Sequence, residues 1–182
     1  PGENQKNTQS IINKYRSLAD SIYRREVQLY AKSSANSSDE KWVESTMKKG
    51  TLKDRVASMS VVVSTDPVHK FYALDGLLQM AGCSVSGQSQ QTNSRVAQLA
   101  AEALEDLFLN TFLPSDRKLM TLAQRPLYLY EGEAATTNKK KKIQKTLSPR
   151  ILMLWRFEEM VRDKYTNFLR QYFGHTLRDG VE

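Results

Sequence analysis

Between Lys49 and Ala81 the chain reads KGTLKDRVASMSVVVSTDPVHKFYALDGLLQMA, a run that carries its own helix stop and start signals. Gly50 suits the end of a preceding helix, and Thr51 with Asp54 three residues on forms an approximate capping box. Asp66-Pro67 then opens a second helix, with Asp as N-cap and Pro at the first helical position, where its missing N–H costs nothing. The first helix presents Leu52, Val56, Met59 and Val63 on one face. Its Val61-Val62-Val63 run has strand propensity, but the flanking caps and the three-and-four spacing decide for helix. The second helix, Pro67 to about Gly82, places Val68, Phe71, Leu74, Leu78 and Ala81 on one side. Two short amphipathic helices joined by a tight corner are a packing unit of stacked-helix proteins. Such a unit organises a surface and performs no chemistry by itself.

The same periodicity runs through the rest of the chain. Residues 7–31 carry Ile11, Tyr15, Leu18, Ile22 and Leu29 at helical spacing, widened by Ile12, Ala19, Tyr23 and Tyr30. After the polar linker KSSANSS, Ser38 or Asp39 opens a short helix holding Trp42, Val43 and Met47, which Gly50 closes. GCSVSGQSQQTN reads as a loop. A helix from about Asn93 to Leu113 has a broad stripe of Val96, Leu99, Ala100, Ala103, Leu104, Leu107 and Phe108, and Pro114 stops it. Ser115 caps a short basic helix, DRKLMTLAQR, that ends before Pro126. The following LYLY is expected to be extended, and residues 131–146 to be a flexible basic loop. Ser148-Pro149 opens the strongest helix, with Leu154, Phe157, Val161, Tyr165, Phe168, Leu169 and Tyr172 in register and Gly174 at its end.

These signals predict an all-α protein of about seven helices in one domain of 182 residues, a length that buries a sizeable core. Packing is expected as a compact bundle or as an irregular HEAT or armadillo-like array, with no strict repeat. No apolar run approaches the roughly 20 residues of a membrane span, and the opening PGENQKNTQ lacks the regions of a signal peptide. A single cysteine, Cys83, excludes an internal disulfide and fits an intracellular setting.

The net charge of +7 has a location. Lys139, Lys140, Lys141, Lys142, Lys145, Arg150 and Arg156 fall within residues 139–156, which hold no acidic residue. The remainder carries 20 basic (27 less these 7) and 20 acidic groups. A nucleic-acid backbone is the commonest partner for such a block; a solvated loop or a nuclear-localisation signal has the same composition. Arg117, Lys118 and Arg125 on the short helix join Lys139–Lys142, Lys145 and Arg150 as candidate RNA-phosphate contacts. Trp155 lies off the main apolar stripe, beside Arg156, and is the candidate partner-binding anchor; otherwise it widens the core face.

Catalytic patterns are missing. His69 and His175 are the only histidines, and no Cys/His set has metal spacing. Cys83 has no identifiable base, and the pairs Glu102/Asp106 and Glu158/Glu159 read as solvated helix faces. Neither a phosphate-binding GxxxxGK[ST] nor a GxGxxG is present. The expectation is a non-enzyme with no cofactor, metal or small-molecule substrate.

Three ordered blocks carry a resemblance. The 49–81 stretch, the upstream REVQLYAKSSANSSDEKWVESTMKKGT and LAAEALEDLFLNTFLPSDRKL at 99–119 are similar to the N-terminal portion of the CCAAT-binding-factor family, over roughly residues 22–119. A Ser/Gln-rich loop at 83–95 and an inserted Ser115 depart from the family pattern. The resemblance implies a fragment of a longer HEAT-like scaffold acting in the nucleolus on large-subunit (pre-60S) precursors. It further implies pairing with a second nucleolar complex protein and contact with precursor ribosomal RNA. Two alternatives stay open: a pure protein-interaction module whose lysines are a localisation signal, and, less favoured, a CCAAT-promoter DNA-binding regulator.

Overall fold

The computed structural model describes residues 2–34, 38–83, 93–130 and 147–179, with side chains at all of these except 2–7, 39, 173 and 175–179. Six α-helices account for most of them: α1 (Gly2–Ser34), α2 (Ser38–Lys49), α3 (Leu52–Thr65), α4 (Tyr72–Met80), α5 (Ser94–Leu107) and α6 (Pro149–Asp179). No strand occurs among the described residues, so the all-α expectation is borne out. The chain divides into two compact units, one of residues 1–25 with 119–162, the other of residues 26–118 with 163–182. Helices α1 and α6 each contribute residues to both. The lysine-rich stretch, with the flexible loop expected over 131–146, lies outside the described residues.

In the first unit, Ile12, Tyr15 and Ala19 of α1 pack with Leu122, Leu127 and Leu152. Burial on α1 therefore centres on the 12–15–19 row, with Ile11 and Ile22 beside it, and the expected Leu18 is 47% exposed. On α6 the buried leucine is Leu152, not Leu154.

In the second unit α3 is the hub, packing against α2, α4 and α5. Its capping box forms as expected: the Thr51 hydroxyl accepts the Asp54 N–H, and the Asp54 carboxylate accepts the Thr51 N–H. Val56 and Val63 are buried, whereas Leu52 at the first turn is exposed. Gly76 of α4 lets α3 come close, since a Cβ there would stand 2.8 Å from the Met59 sulfur. Helix α4 ends with Gly82 at φ +80 and Cys83 N–H bonded to the Leu78 carbonyl, a Schellman closure that glycine permits. Helix α4 packs on α5, and Phe71, Leu74, Leu77 and Leu78 are buried, as are Val96, Ala100, Leu104 and Leu107 of α5.

Four local expectations are corrected. The corner at Asp66-Pro67 makes tight turns before α4, which begins at Tyr72: Asp66 Oδ1 accepts the His69 N–H and its carbonyl accepts the Lys70 N–H. The short basic helix over 116–125 is irregular chain with one tight turn at Leu122–Gln124, because its N–H groups bond to side chains. LYLY is a tight turn, Leu127–Leu129, and not extended. Helix α6 runs through Gly174 to Asp179, since one exposed glycine costs only about 1 kcal/mol relative to alanine. Helix α5 stops near its predicted end, by a widened turn in which Leu113 N–H reaches the Phe108 carbonyl five residues back. That turn keeps both Phe108 and Phe112 buried.

Candidate nucleic-acid interface

Helix α6 opens at Pro149, with the Ser148 carbonyl accepting the Leu152 N–H. Arg150 is exposed in its first turn, where the helix dipole disfavours a cation by a few tenths of a kcal/mol. The dipole therefore gives no reason for an arginine there, and no ion pair among the described residues takes its charge. Arg117 and Lys118 follow the Pro114 stop, both exposed, with Arg117 Nη1 donating to the Lys118 carbonyl at 3.4 Å. Lys139, Lys140, Lys141, Lys142 and Lys145 fall outside the described residues.

Arg125 is placed differently. In the first unit its guanidinium pairs with Glu158 and lies over the Trp155 ring, 5.1 Å from the centroid. Its side chain is 16% exposed. Tyr130 meets the same indole edge-on at 6.3 Å. Trp155 is half-buried against the Ile12–Tyr15–Leu152 cluster, so it widens the core face. Arg156, which carries part of the sequence's basic excess, is bonded to Asp20 at 2.7 Å and to Glu159 at 2.8 Å. Of the residues singled out, Arg125 and Trp155 are brought together.

The residues that sequence reasoning missed are the two carboxylates behind this arrangement. Glu159 is 3% exposed and not part of a solvated face. It accepts Arg16 at 3.0 and 3.3 Å, Arg156 at 2.8 Å and the Leu122 N–H at 3.2 Å. Glu158 accepts the Met120 N–H at 2.8 Å as well as Arg125. Neighbouring carboxylates thus satisfy alternate N–H groups of the 119–125 segment, which needs no helix of its own. Burial alone would raise the Glu159 carboxyl, but the Arg16 hydrogen bonds and charge, the Leu122 N–H and Arg156 outweigh it and hold it below its ordinary 4.5. The only available sequence signal was adjacent glutamates on a helix rich in apolar residues; their partners lie far away in the chain. The pair Glu102/Asp106, by contrast, is exposed as expected.

His69 and Cys83 find structural settings. His69 Nδ1 lies 2.8 Å from Asp66, and its ring stacks on Tyr30 at 4.1 Å. Cys83 is buried, and burial pushes its thiol from 9.0 up to about 11, so thiolate is scarce at neutral pH. No group of three or more His, Cys, Asp or Glu among the described residues could hold a metal ion. No described helix is long and apolar enough to cross a membrane.

No family model matches the chain. Among curated proteins it is 28% identical over 165 residues to CCAAT/enhancer-binding protein zeta of Homo sapiens, covering 89% of this chain and 14% of that protein. It is 28% identical over 135 residues to nucleolar complex protein 1 of Drosophila melanogaster, covering 74% of this chain and 10% of that protein. It is 27% identical over 174 residues to ribosome biogenesis protein NOC1 of Chaetomium thermophilum, covering 93% and 16%. The chain thus spans about one seventh of the length of the curated relatives it matches. The resemblance read from the three sequence blocks is borne out: the curated proteins similar to this chain carry the names CCAAT/enhancer-binding protein zeta, nucleolar complex protein 1 and NOC1.

Proposed function

We propose that this chain is a helical scaffold segment in nucleolar assembly of the large ribosomal subunit, holding precursor ribosomal RNA through phosphate contacts. The observation that carries the reading is the concentration of all excess charge in residues 139–156 of a chain whose relatives include a ribosome biogenesis protein. The phosphate-contacting set is Lys139–Lys142, Lys145 and Arg150, joined by Arg117 and Lys118. Arg125 and Arg156 stand outside it, because carboxylates and an indole already take their guanidinium groups. Contacts of this kind neutralise charge without reading bases: no groove-reading helix or RNA-recognition signature accompanies the basic residues. Pairing with a second nucleolar complex protein, nuclear or nucleolar residence and a non-catalytic role belong to the same proposal.

The test is affinity for a structured RNA before and after Lys139–Lys142 are changed to glutamate. The proposal predicts a loss of about tenfold or more at low salt. Unchanged affinity would remove this segment from RNA binding and leave the localisation-signal reading of the lysines.

A further inference from the structure

Within the second unit, α5 and the C-terminal part of α6 border a groove of about 220 Å³. Helix α5 and its wide final turn present Ala101, Glu105, Phe108 and Leu109, one helical face. Helix α6 presents Tyr165, Phe168, Leu169 and Tyr172 at the same kind of spacing. The floor is packed: Phe108 and Phe168 stack at 5.6 Å and are 1% and 5% exposed. Leu109 stands 60% exposed at the lip, an apolar side chain that the described residues leave largely uncovered.

The lip is acidic. Glu102, Glu105 and Asp106 are exposed along α5, and none joins an ion pair among the described residues. Glu102 and Asp106 accept only the neutral amides of Gln98, at 3.0 Å, and Asn110, at 2.7 Å. Two carboxylates on one wall, Glu102 and Glu105, with Asp106 beside them on the same helix, repel phosphate, whereas single-stranded RNA needs a basic funnel around its stacking rings. The volume is below the roughly 300–1,000 Å³ of small-molecule sites and suits a few apolar side chains. An aromatic floor between two helices, an exposed leucine at the edge and unpaired carboxylates together describe a helix-in-groove surface with a stated charge preference.

We infer that this groove receives an amphipathic helix of a partner protein, one with apolar anchors at helical spacing and Lys or Arg along one edge. The surface is separate from the phosphate contacts proposed above, and the two are tested apart.

The probe is a panel of synthetic amphipathic helices of about 18 residues, with Leu or Phe anchors and lysines on one flank. Fluorescence anisotropy would follow their binding to the full 182-residue chain. At least one member should bind saturably. Leu109→Ser, at an exposed position that leaves the fold intact by circular dichroism, should weaken it about tenfold or more. Glu105→Lys should weaken it too, and a glutamate-edged version of the same peptide should regain the affinity. Reversal of Lys139–Lys142 should leave peptide binding unchanged. The inference is overturned if no member binds, or if both groove variants bind like the parent chain. It is also overturned if the parent chain is a dimer that Leu109→Ser makes monomeric, or if Glu105→Lys and Leu109→Ser alter RNA affinity and not peptide affinity.

Discussion

At Glu159 a buried carboxylate receives two arginines from different helices and one backbone N–H. Removing its charge takes a buried carboxylate from Arg16 and Arg156 and leaves the Leu122 N–H with a poorer acceptor. Glu159→Gln should therefore destabilise the chain by about 2 kcal/mol or more in chemical denaturation. The pH dependence has a definite sign. Because the folded carboxyl titrates below its ordinary 4.5, its contribution is complete above that value. It is lost as pH falls from there through the folded pKa. Parent and Glu159→Gln stabilities should converge on acidification below 4.5; a constant gap down to full protonation would contradict the assignment. Sequence could not show this, because a glutamate pair on a helix looks the same whether it faces water or a buried arginine. Arg125 and Trp155 make the same point: residue type marks a cation and an anchor, but only folding shows that the guanidinium lies over the indole.

Helix ends were the most legible elements because cap chemistry is local. Thr51 and Asp54, three residues apart, carry their own partner, and the box forms as written in the sequence. Thr51→Ala should cost about 1 kcal/mol by thermal or chemical unfolding; no change would mean that α3 draws its start from packing alone. The stretch over 116–125 failed for the converse reason. Its helical periodicity is real, but Met120 and Leu122 donate to Glu158 and Glu159, more than thirty residues away in the chain. Gly76 tests the α3–α4 contact. An alanine there meets only the flexible end of Met59 and gains helix propensity, so Gly76→Ala should stay within about 1 kcal/mol of the parent. Gly76→Val adds bulk that Met59 cannot escape and should cost about 1–3 kcal/mol. Equal effects of the two substitutions would contradict the close approach.

On the scale of the whole molecule, an all-α architecture followed from periodicity, while the division of the chain into two compact units did not. That division depends on which segments, distant in sequence, share a core: Ile12 and Tyr15 with Leu122, Leu127 and Leu152. The candidate sites divide the same way. The basic block over residues 139–156 could be picked out by composition. The aromatic groove of α5 and α6 could not, because its rings read equally well as core. The central claim is that the lysine run neutralises RNA phosphates, and its most direct measurement is the slope of log affinity against log salt for a structured RNA. The parent chain should show a steep negative slope, and changing Lys139–Lys142 to glutamate should flatten it by about 3, the release of four phosphate contacts. A slope that those four substitutions leave unchanged would contradict the account.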